Sequence, residues 1–412
     1  MRILHTADWH LGDRLGRIDR TQDLRRAVGR VGAYCRTEAI DVLLVAGDLF
    51  SELARPDSLR ETIGHWQQVF GDFLAGGGTI LTLTGNHDNE NFCRTLTHAM
   101  GLAAPMTGVV GELLPHGRLY LATEPTLLRL HDREAGTDVQ FLLMPYPTPS
   151  VYLRDDAGPK YTGPVEKNAR LMAAFLESLR RMQRHEGFDP RLPTVLGAHV
   201  NVHGATIGPS LFRIAEQDDV VFNPSDLPSE FAYVALGHVH KPQALAGRSN
   251  LRYSGSIERM DLGESGDSKS VVVFDVTAAG LANEPRVLPL AATAIYEVNV
   301  HDPRIDLPDL QERYSDAADD LVNLHIRYTA GVDSLEDVLE QLEAIFPRWY
   351  ARDWNESTAL GPAMLAGPDA GRSKGFADTV RDYLREELKN HTPAECDEVL
   401  ARAEALFRED DP

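Results

Sequence analysis

Cysteine is almost missing from this chain: its 412 residues hold three, Cys35, Cys93 and Cys396. An odd number at wide spacing excludes a disulfide framework and a thiolate zinc site. Any metal must therefore be held by nitrogen and oxygen. Long apolar runs are missing too, since no stretch reaches the roughly 18 residues that a membrane-spanning helix needs. The opening MRILHTADWH enters a strand with no apolar leader, so no membrane association and a cytoplasmic location are expected. Basic charge is also short: 41 Lys and Arg against 62 Asp and Glu leave a net charge of −21. That balance speaks against a free-standing, high-affinity nucleic-acid binder. Divalent cations at a carboxylate-rich site and a partner subunit are two ways around it. What remains is ordinary, with 43% hydrophobic and 25% charged residues, as in soluble globular chains. The length predicts two or three domains.

The first half alternates short β-rich apolar runs with amphipathic stretches, the pattern of an α/β domain. Strands are expected at 2–5, 42–46, 79–83, 195–198 and 233–236, with helices over about 19–39, 57–75 and 165–185. Three further runs, 118–121, 126–130 and 139–143, read as a meander joined by polar turns. The Pro- and Gly-rich stretch 145–164 reads as a surface loop. After a strand at 270–276 the composition shifts near 288–294. Strands are then expected at 295–300 and 321–328, helices at 307–318 and 334–346, an irregular stretch, and two charged helices over 373–389 and 393–408. The expected division is 1–288, 289–360 and 361–412.

Five short motifs each follow an expected strand: Asp8-Trp9-His10, Gly47-Asp48, Gly85-Asn86-His87-Asp88, Ala198-His199 and Gly237-His238-Val239-His240. Any one alone is ordinary turn chemistry. In open α/β sheets, however, ligands gather beyond the carboxyl ends of strands, so residues far apart in sequence converge on one edge. Together the motifs place two Asp, one Asn and four His there, with His87 and Asp88 adjacent. Imidazole accepts Zn, Fe and Mn while carboxylate and amide oxygens favour the harder cations, so the set suits two divalent ions. Two such ions about 3.5–4 Å apart can bind both the attacking and leaving oxygens of a phosphoryl displacement. Phosphoester hydrolysis is the reaction class that this chemistry predicts.

The order D-x-H, G-D, G-N-H-D, H, G-H-x-H over about residues 3–240 resembles that of the calcineurin-like metallophosphoesterases. The resemblance implies a four-layer α/β fold, a β-sandwich flanked by helices. It implies that Asp8, His10, Asp48 and His240 hold one metal and Asp48, Asn86, His199 and His238 the other, with Asp48 bridging. It makes His87 a catalytic group beside the scissile phosphate and Asp88 the residue that orients its ring, in accord with a neighbouring carboxylate favouring protonated imidazole. Within that family, Leu4-His5-Thr6-Ala7-Asp8-Trp9-His10-Leu11-Gly12, Ala46-Gly47-Asp48-Leu49-Phe50, Met144-Pro145-Tyr146-Pro147 and Tyr253-Ser254-Gly255-Ser256-Ile257-Glu258-Arg259 resemble SbcD-type nuclease subunits of DNA repair. Ser51 departs from some archaeal members, which carry a His there that is linked to exonuclease activity. The resemblance implies DNA as substrate, a homodimer, an SbcC-like ATPase partner, a small α+β capping domain and C-terminal helices that could dock on the partner. A small-molecule phosphodiesterase or nucleotidase on the same fold is the rival reading, and a non-catalytic scaffold the third.

Other residues carry weaker signals. His203, four residues after His199, could approach the metals or a phosphate, although a satisfied loop histidine is the simpler reading. Arg14, Arg17 and Arg20 follow the first motif, as DNA-backbone contacts or as a solvated loop and helix start. Trp349 and Trp354 flank Arg352, a set that fits either nucleotide stacking or the core of a small domain.

Overall fold

In the computed structural model of the chain, the residues described are 1–52, 54–105, 109–154, 161–207 and 219–358. Two sheets face each other. The first runs in the order Gly280–Leu281, Ser270–Thr277, Arg2–Thr6, Val42–Val45, Thr79–Leu83, Leu119–Ala122, with Arg286–Pro289 also paired to Ser270–Thr277. Its four strands from Arg2–Thr6 to Leu119–Ala122 are parallel, in the register Ile3–Val42, Val42–Thr79 and Ile80–Leu119. The second sheet runs Gln243–Leu245, Arg248–Tyr253, Tyr233–Gly237, Thr194–His199, Thr137–Met144, Thr126–Asp132, Glu112–Leu114. Within it Thr194–His199 lies parallel to both its neighbours.

Alternation along the central strands explains the layers. Ile3, Val42, Leu44, Leu81 and Leu83 meet Leu130, Phe141, Leu143, Val195 and Tyr233 of the other sheet. Leu4, Leu43 and Val45 point the other way and pack under helices, together with Leu24, Val28, Trp66 and Phe70. Across the second sheet Leu142, Leu196, Val234 and Leu236 are covered by Leu171, Phe175 and Leu179 of the helix Pro164–Arg184. Strands buried on both faces read as near-continuous apolar runs, as VLLV at 42–45 does. The architecture is thus helix, sheet, sheet, helix, the four layers expected.

Three readings need correction. Residues 118–143 do not form one meander. Leu119–Ala122 adds to the first sheet beside Thr79–Leu83, whereas Thr126–Asp132 and Thr137–Met144 pair antiparallel in the second. The chain changes sheets at residues 123–125, where Pro125 cannot donate to a ladder. The helix Glu90–Ala103 was not anticipated; Asn89 caps it by accepting from the Phe92 amide at 3.0 Å. The irregular stretch after Phe346 contains a strand, Trp349–Thr358.

By internal contacts the chain divides into two units, Met1–Tyr328 with Leu335–Asn355, and Thr329–Ser334 with Glu356–Pro412. In the first, Ile295–Val300 lies parallel to residues 321–326, and the strand that starts at Trp349 completes a three-stranded sheet. The helices Pro303–Arg313 and Leu335–Ile345 cover it through Leu307, Leu310, Val338 and Leu342. In the second, the Thr329 and Ser357 hydroxyls share a hydrogen bond of 3.0 Å. The expected terminal helices, within 361–412, lie outside the described residues. Among the described residues no helix is long and apolar enough to cross a membrane.

Candidate metal centre

Parallel pairing sets the site. Arg2–Thr6, Val42–Val45 and Thr79–Leu83 are parallel neighbours, so the loops carrying Asp8 and His10, Asp48, and Asn86 leave the first sheet at the same edge. His199 ends its strand, and His238 and His240 follow that strand's parallel neighbour in the second sheet. The loops lock together through backbone. The Asp8 amide donates to the Gly47 carbonyl at 3.0 Å, and the Trp9 and His10 amides donate to the Asp48 carbonyl at 2.7 and 3.0 Å. Gly85 and Gly237 have no room for a side chain. A Cβ on Gly85 would strike the Asp48 carboxylate, and one on Gly237 the Ala46 carbonyl. The motif glycines are there for close approach, not only for turning.

Asp8, His10, Asp48, His199 and His238 are buried. His10 Nε2 lies 3.1 Å from His240 Nε2 and 3.7 Å from an Asp48 oxygen. His199 Nε2 lies 3.3 Å from the same Asp48 oxygen. Asn86 Oδ1 sits 3.0 Å from His199 Nε2 and 2.9 Å from His238 Nδ1. Ligand-capable atoms fall within 4.8 Å of one another in three overlapping sets: Asp8, His10, His240; His10, Asp48, His87; and Asp8, Asp48, His199. Asp8, His10, Asp48 and His238 also have positive φ, between 44° and 103°. They are four of the six non-glycine residues that do so among the described residues. Such backbone costs about 1–3 kcal/mol per residue and persists where the surroundings enforce it.

Three of the rings, those of His199, His238 and His240, have their far nitrogen assigned. His199 Nδ1 is 2.8 Å from the Ala46 carbonyl and therefore donates, which turns Nε2 toward Asp48. His238 Nε2 meets Asp219 at 2.8 Å and so presents Nδ1. His240 Nδ1 meets Glu264 at 2.6 Å and presents Nε2. Carboxylates placed behind histidines in this way orient the ring and raise its donor strength toward a metal. Asp219 is in turn held by the Tyr146 hydroxyl at 2.9 Å and Asn201 Nδ2 at 3.1 Å. Glu264 is held by the buried Lys269 ammonium at 2.5 Å. Burial opposes ionisation of both, yet His238, Tyr146 and Asn201 bring Asp219 down to about 2, and His240 and Lys269 hold Glu264 well below the usual range. Burial pushes His10 down to about 3, so its ring is neutral. Burial disfavours charge on His199 as well, but Asp48, Asp8 and the Ala46 carbonyl raise it to about 9.

The donor set fits divalent metal: imidazole nitrogens, carboxylates and an amide oxygen face one another across short gaps.

His87 joins this cluster at its edge through His10 and Asp48, and the remaining candidates lie outside it. His87 is half-buried at the rim, its ring centroid 5.0 Å from that of His10 and its Nδ1 3.9 Å from Glu52. The expectation that Asp88 orients that ring is corrected. Its oxygens accept the Gly85, Phe50 and Leu49 amides at 2.8, 2.8 and 3.2 Å, stapling two motif loops together. Burial and then Asp48 raise its pKa to about 7. Arg20 is corrected as well: it is buried between Asp23 and Glu258 at 2.7 and 2.9 Å. The Arg17 guanidinium is committed to the carbonyls of Trp349 and Pro347, at 2.9 and 2.8 Å. Arg14 is exposed and donates to the Arg17 carbonyl at 2.9 Å. His203 is exposed, with only its backbone amide tied, to Phe222 at 2.8 Å. Ser51 is buried and donates to Asp13 at 3.0 Å. Asp219, Glu264 and Lys269 were not singled out from the sequence. The nearest signals were Tyr146 in the Met-Pro-Tyr-Pro stretch and the segment that ends at Arg259.

Residues 1–242 match the family described as calcineurin-like phosphoesterase. The SbcD component of nuclease SbcCD from Rhodobacter capsulatus is 32% identical over 308 residues, 70% of this chain and 69% of that protein. The chain belongs to the calcineurin-like phosphoesterases, among the SbcD-type nucleases. The SbcD component from Bacillus subtilis is 29% identical over 305 residues, again 70% of this chain and 69% of that one. Among solved structures, a dimetal phosphatase from Danio rerio aligns over 71% of this chain and 99% of its own, with TM-score 0.37 and 10% identity.

Proposed function

We propose that the chain is a divalent-metal-dependent DNA nuclease, the phosphodiesterase component of an SbcCD-like complex in DNA repair. The observation that carries this reading is the convergence of seven donor residues around one carboxylate, Asp48, with ring nitrogens and oxygens facing each other across 2.9–3.7 Å. In this reading Asp8, His10, Asp48 and His240 hold one ion and Asp48, Asn86, His199 and His238 the other, with Mn²⁺ as the physiological choice. Two divalent ions there would supply Lewis-acid stabilisation of the phosphoryl oxygens and lower the pKa of the attacking water. The protein does the rest. Asp219 and Glu264 fix the rings of His238 and His240, and Asp88 fixes the loops that carry Asp48 and Asn86. His87, outside both ligand sets and open to solvent, gives its proton to the leaving 3′ oxygen.

The capping domain is assigned to residues 289–360. Residues 361–412 are assigned to docking on an SbcC-like ATPase, which would supply most of the grip on DNA that a chain of net charge −21 lacks. A homodimer in the cytoplasm completes the reading. The test is incubation of the purified protein with Mn²⁺ and end-labelled duplex DNA beside bis-p-nitrophenyl phosphate. Cleavage of both supports the nuclease, while turnover of the small ester alone transfers the site to a small-molecule phosphodiesterase or nucleotidase. Removing residues 373–412 should abolish co-purification with the ATPase and leave ester hydrolysis intact.

A further inference from the structure

The segment between the first metal motif and the first long helix is a two-strand hairpin, Arg14–Leu15 paired with Ile18–Asp19, with Gly16 and Arg17 at its turn. Its base is tied to the metal loop. The Asp13 amide donates to the His10 carbonyl at 3.1 Å, the Arg20 amide to the Asp13 carbonyl at 3.2 Å, and Ser51 Oγ to the Asp13 carboxylate at 3.0 Å. Its tip is tied to the start of the cap's third strand. Arg17 donates to the Trp349 and Pro347 carbonyls, its guanidinium lies 4.0 Å from the centroid of the Trp349 ring, and Glu343 is 3.7 Å away. Arg352 lies at 4.0 Å from the same ring centroid. Gly16, at φ +54°, is pressed so closely on the Tyr350 carbonyl that a Cβ there would collide with it. One turn of chain thus spans from a metal ligand to the cap.

We infer that this hairpin is a strut that sets the position of the cap at the rim of the metal centre, and that Arg17 is a positioning residue for cleavage of DNA. An arginine in a DNA-binding protein usually serves as a phosphate contact, but here Nε and Nη2 of the guanidinium are spent on cap carbonyls and its face on Trp349. A charge used in this way acts through the protein that it holds. A small ester needs only the metal centre, whereas an extended duplex must also fit under the cap, so the strut matters for the second and not for the first. The inference rests on the nuclease reading for its substrate but not for the contact itself.

Two substitutions separate a strut from a phosphate contact. Arg17→Ala removes the hydrogen bonds and the charge, while Gly16→Ala keeps Arg17 and wedges a methyl group against the Tyr350 carbonyl. Both sit in an exposed turn outside the core, so the fold tolerates them. In both, hydrogen exchange of the amides around 347–350 should rise. DNA cleavage should fall by on the order of ten- to a hundredfold, the loss that misplacement by about 1 Å can cause. Bis-p-nitrophenyl phosphate hydrolysis should stay at the wild-type rate, and the salt dependence of DNA binding should keep its slope. A phosphate contact predicts otherwise: Arg17→Ala alone would be affected, and its slope of log K against log salt would fall by about 0.9. That pattern, or unchanged exchange in both variants, overturns the strut. If the wild type cleaves no DNA, the nuclease reading fails, while the exchange result still decides whether the hairpin holds the cap.

Discussion

Asp8 and Asp23 are both carboxylates with almost no exposure, 0% and 1%, and their partners differ in kind. Asp23 is saturated by cations: Arg20 and Arg348 meet one oxygen at 2.7 and 2.6 Å, and Arg26 and Arg348 the other at 2.7 and 3.2 Å. Burial works against its charge, but the arginines hold its pKa below the ordinary value. Among the described residues Asp8 accepts only the His238 amide, at 3.0 and 3.2 Å, and burial raises its pKa. Asp23 sits on ordinary helical backbone, whereas Asp8, His10, Asp48 and His238 are strained. A buried charge set that closes on itself is structural. One whose donors face each other on strained backbone is built around something still to be bound. Burial alone does not tell the two apart; the count of opposite charges and the backbone do.

The comparison can be broken from the metal side first, where the largest effect is expected. Asp48→Ala removes the one carboxylate that both proposed ligand sets share, so calorimetry should show neither Mn²⁺ bound near stoichiometry, and ester turnover should vanish. Next comes His87→Gln, which should lower DNA cleavage by about 10²–10⁴-fold while keeping two Mn²⁺. Loss of an ion in this variant would instead place His87 in the set that it forms with His10 and Asp48. Asp219→Asn tests the support behind His238: Mn²⁺ affinity should fall by about 10–100-fold with little change in melting temperature. The smallest effect on metal belongs to Asp23→Ala. It strands Arg20 between Glu258 and an empty side, and breaking such a buried pair costs about 3–5 kcal/mol. Melting should drop steeply while Mn²⁺ stoichiometry stays at the wild-type value. If Asp23→Ala changed metal binding and Asp219→Asn changed only stability, the two clusters would have been read the wrong way round.

How much of this was legible from sequence follows the same division. The five motifs were readable because each directly follows a short apolar strand, and parallel strands deliver their carboxyl ends to one edge. The central strands were placed to within a residue or two because their apolar runs are continuous. Asp219 and Glu264 were not readable as supports for His238 and His240, since they lie 19 and 24 residues away in chain and no motif spacing links them. Arg17 and Arg20 looked alike in sequence, but one is exposed at a turn and the other buried against Glu258, 238 residues away. The helix Glu90–Ala103 did carry a signal, with Asn89 as cap and Phe92, Leu96 and Met100 at four-residue spacing. The strand Trp349–Thr358 carried almost none, because an edge strand with exposed charged positions shows little alternation.

The central claim is that Asp48 bridges two divalent ions at this edge of the sandwich. Anomalous diffraction from crystals soaked in Mn²⁺ tests it most directly. The account predicts two peaks roughly 3.5–4 Å apart, one against Asp8, His10 and His240 and the other against Asn86, His199 and His238, with Asp48 touching both. A single peak, or two peaks with Asp48 bound to only one, would contradict it.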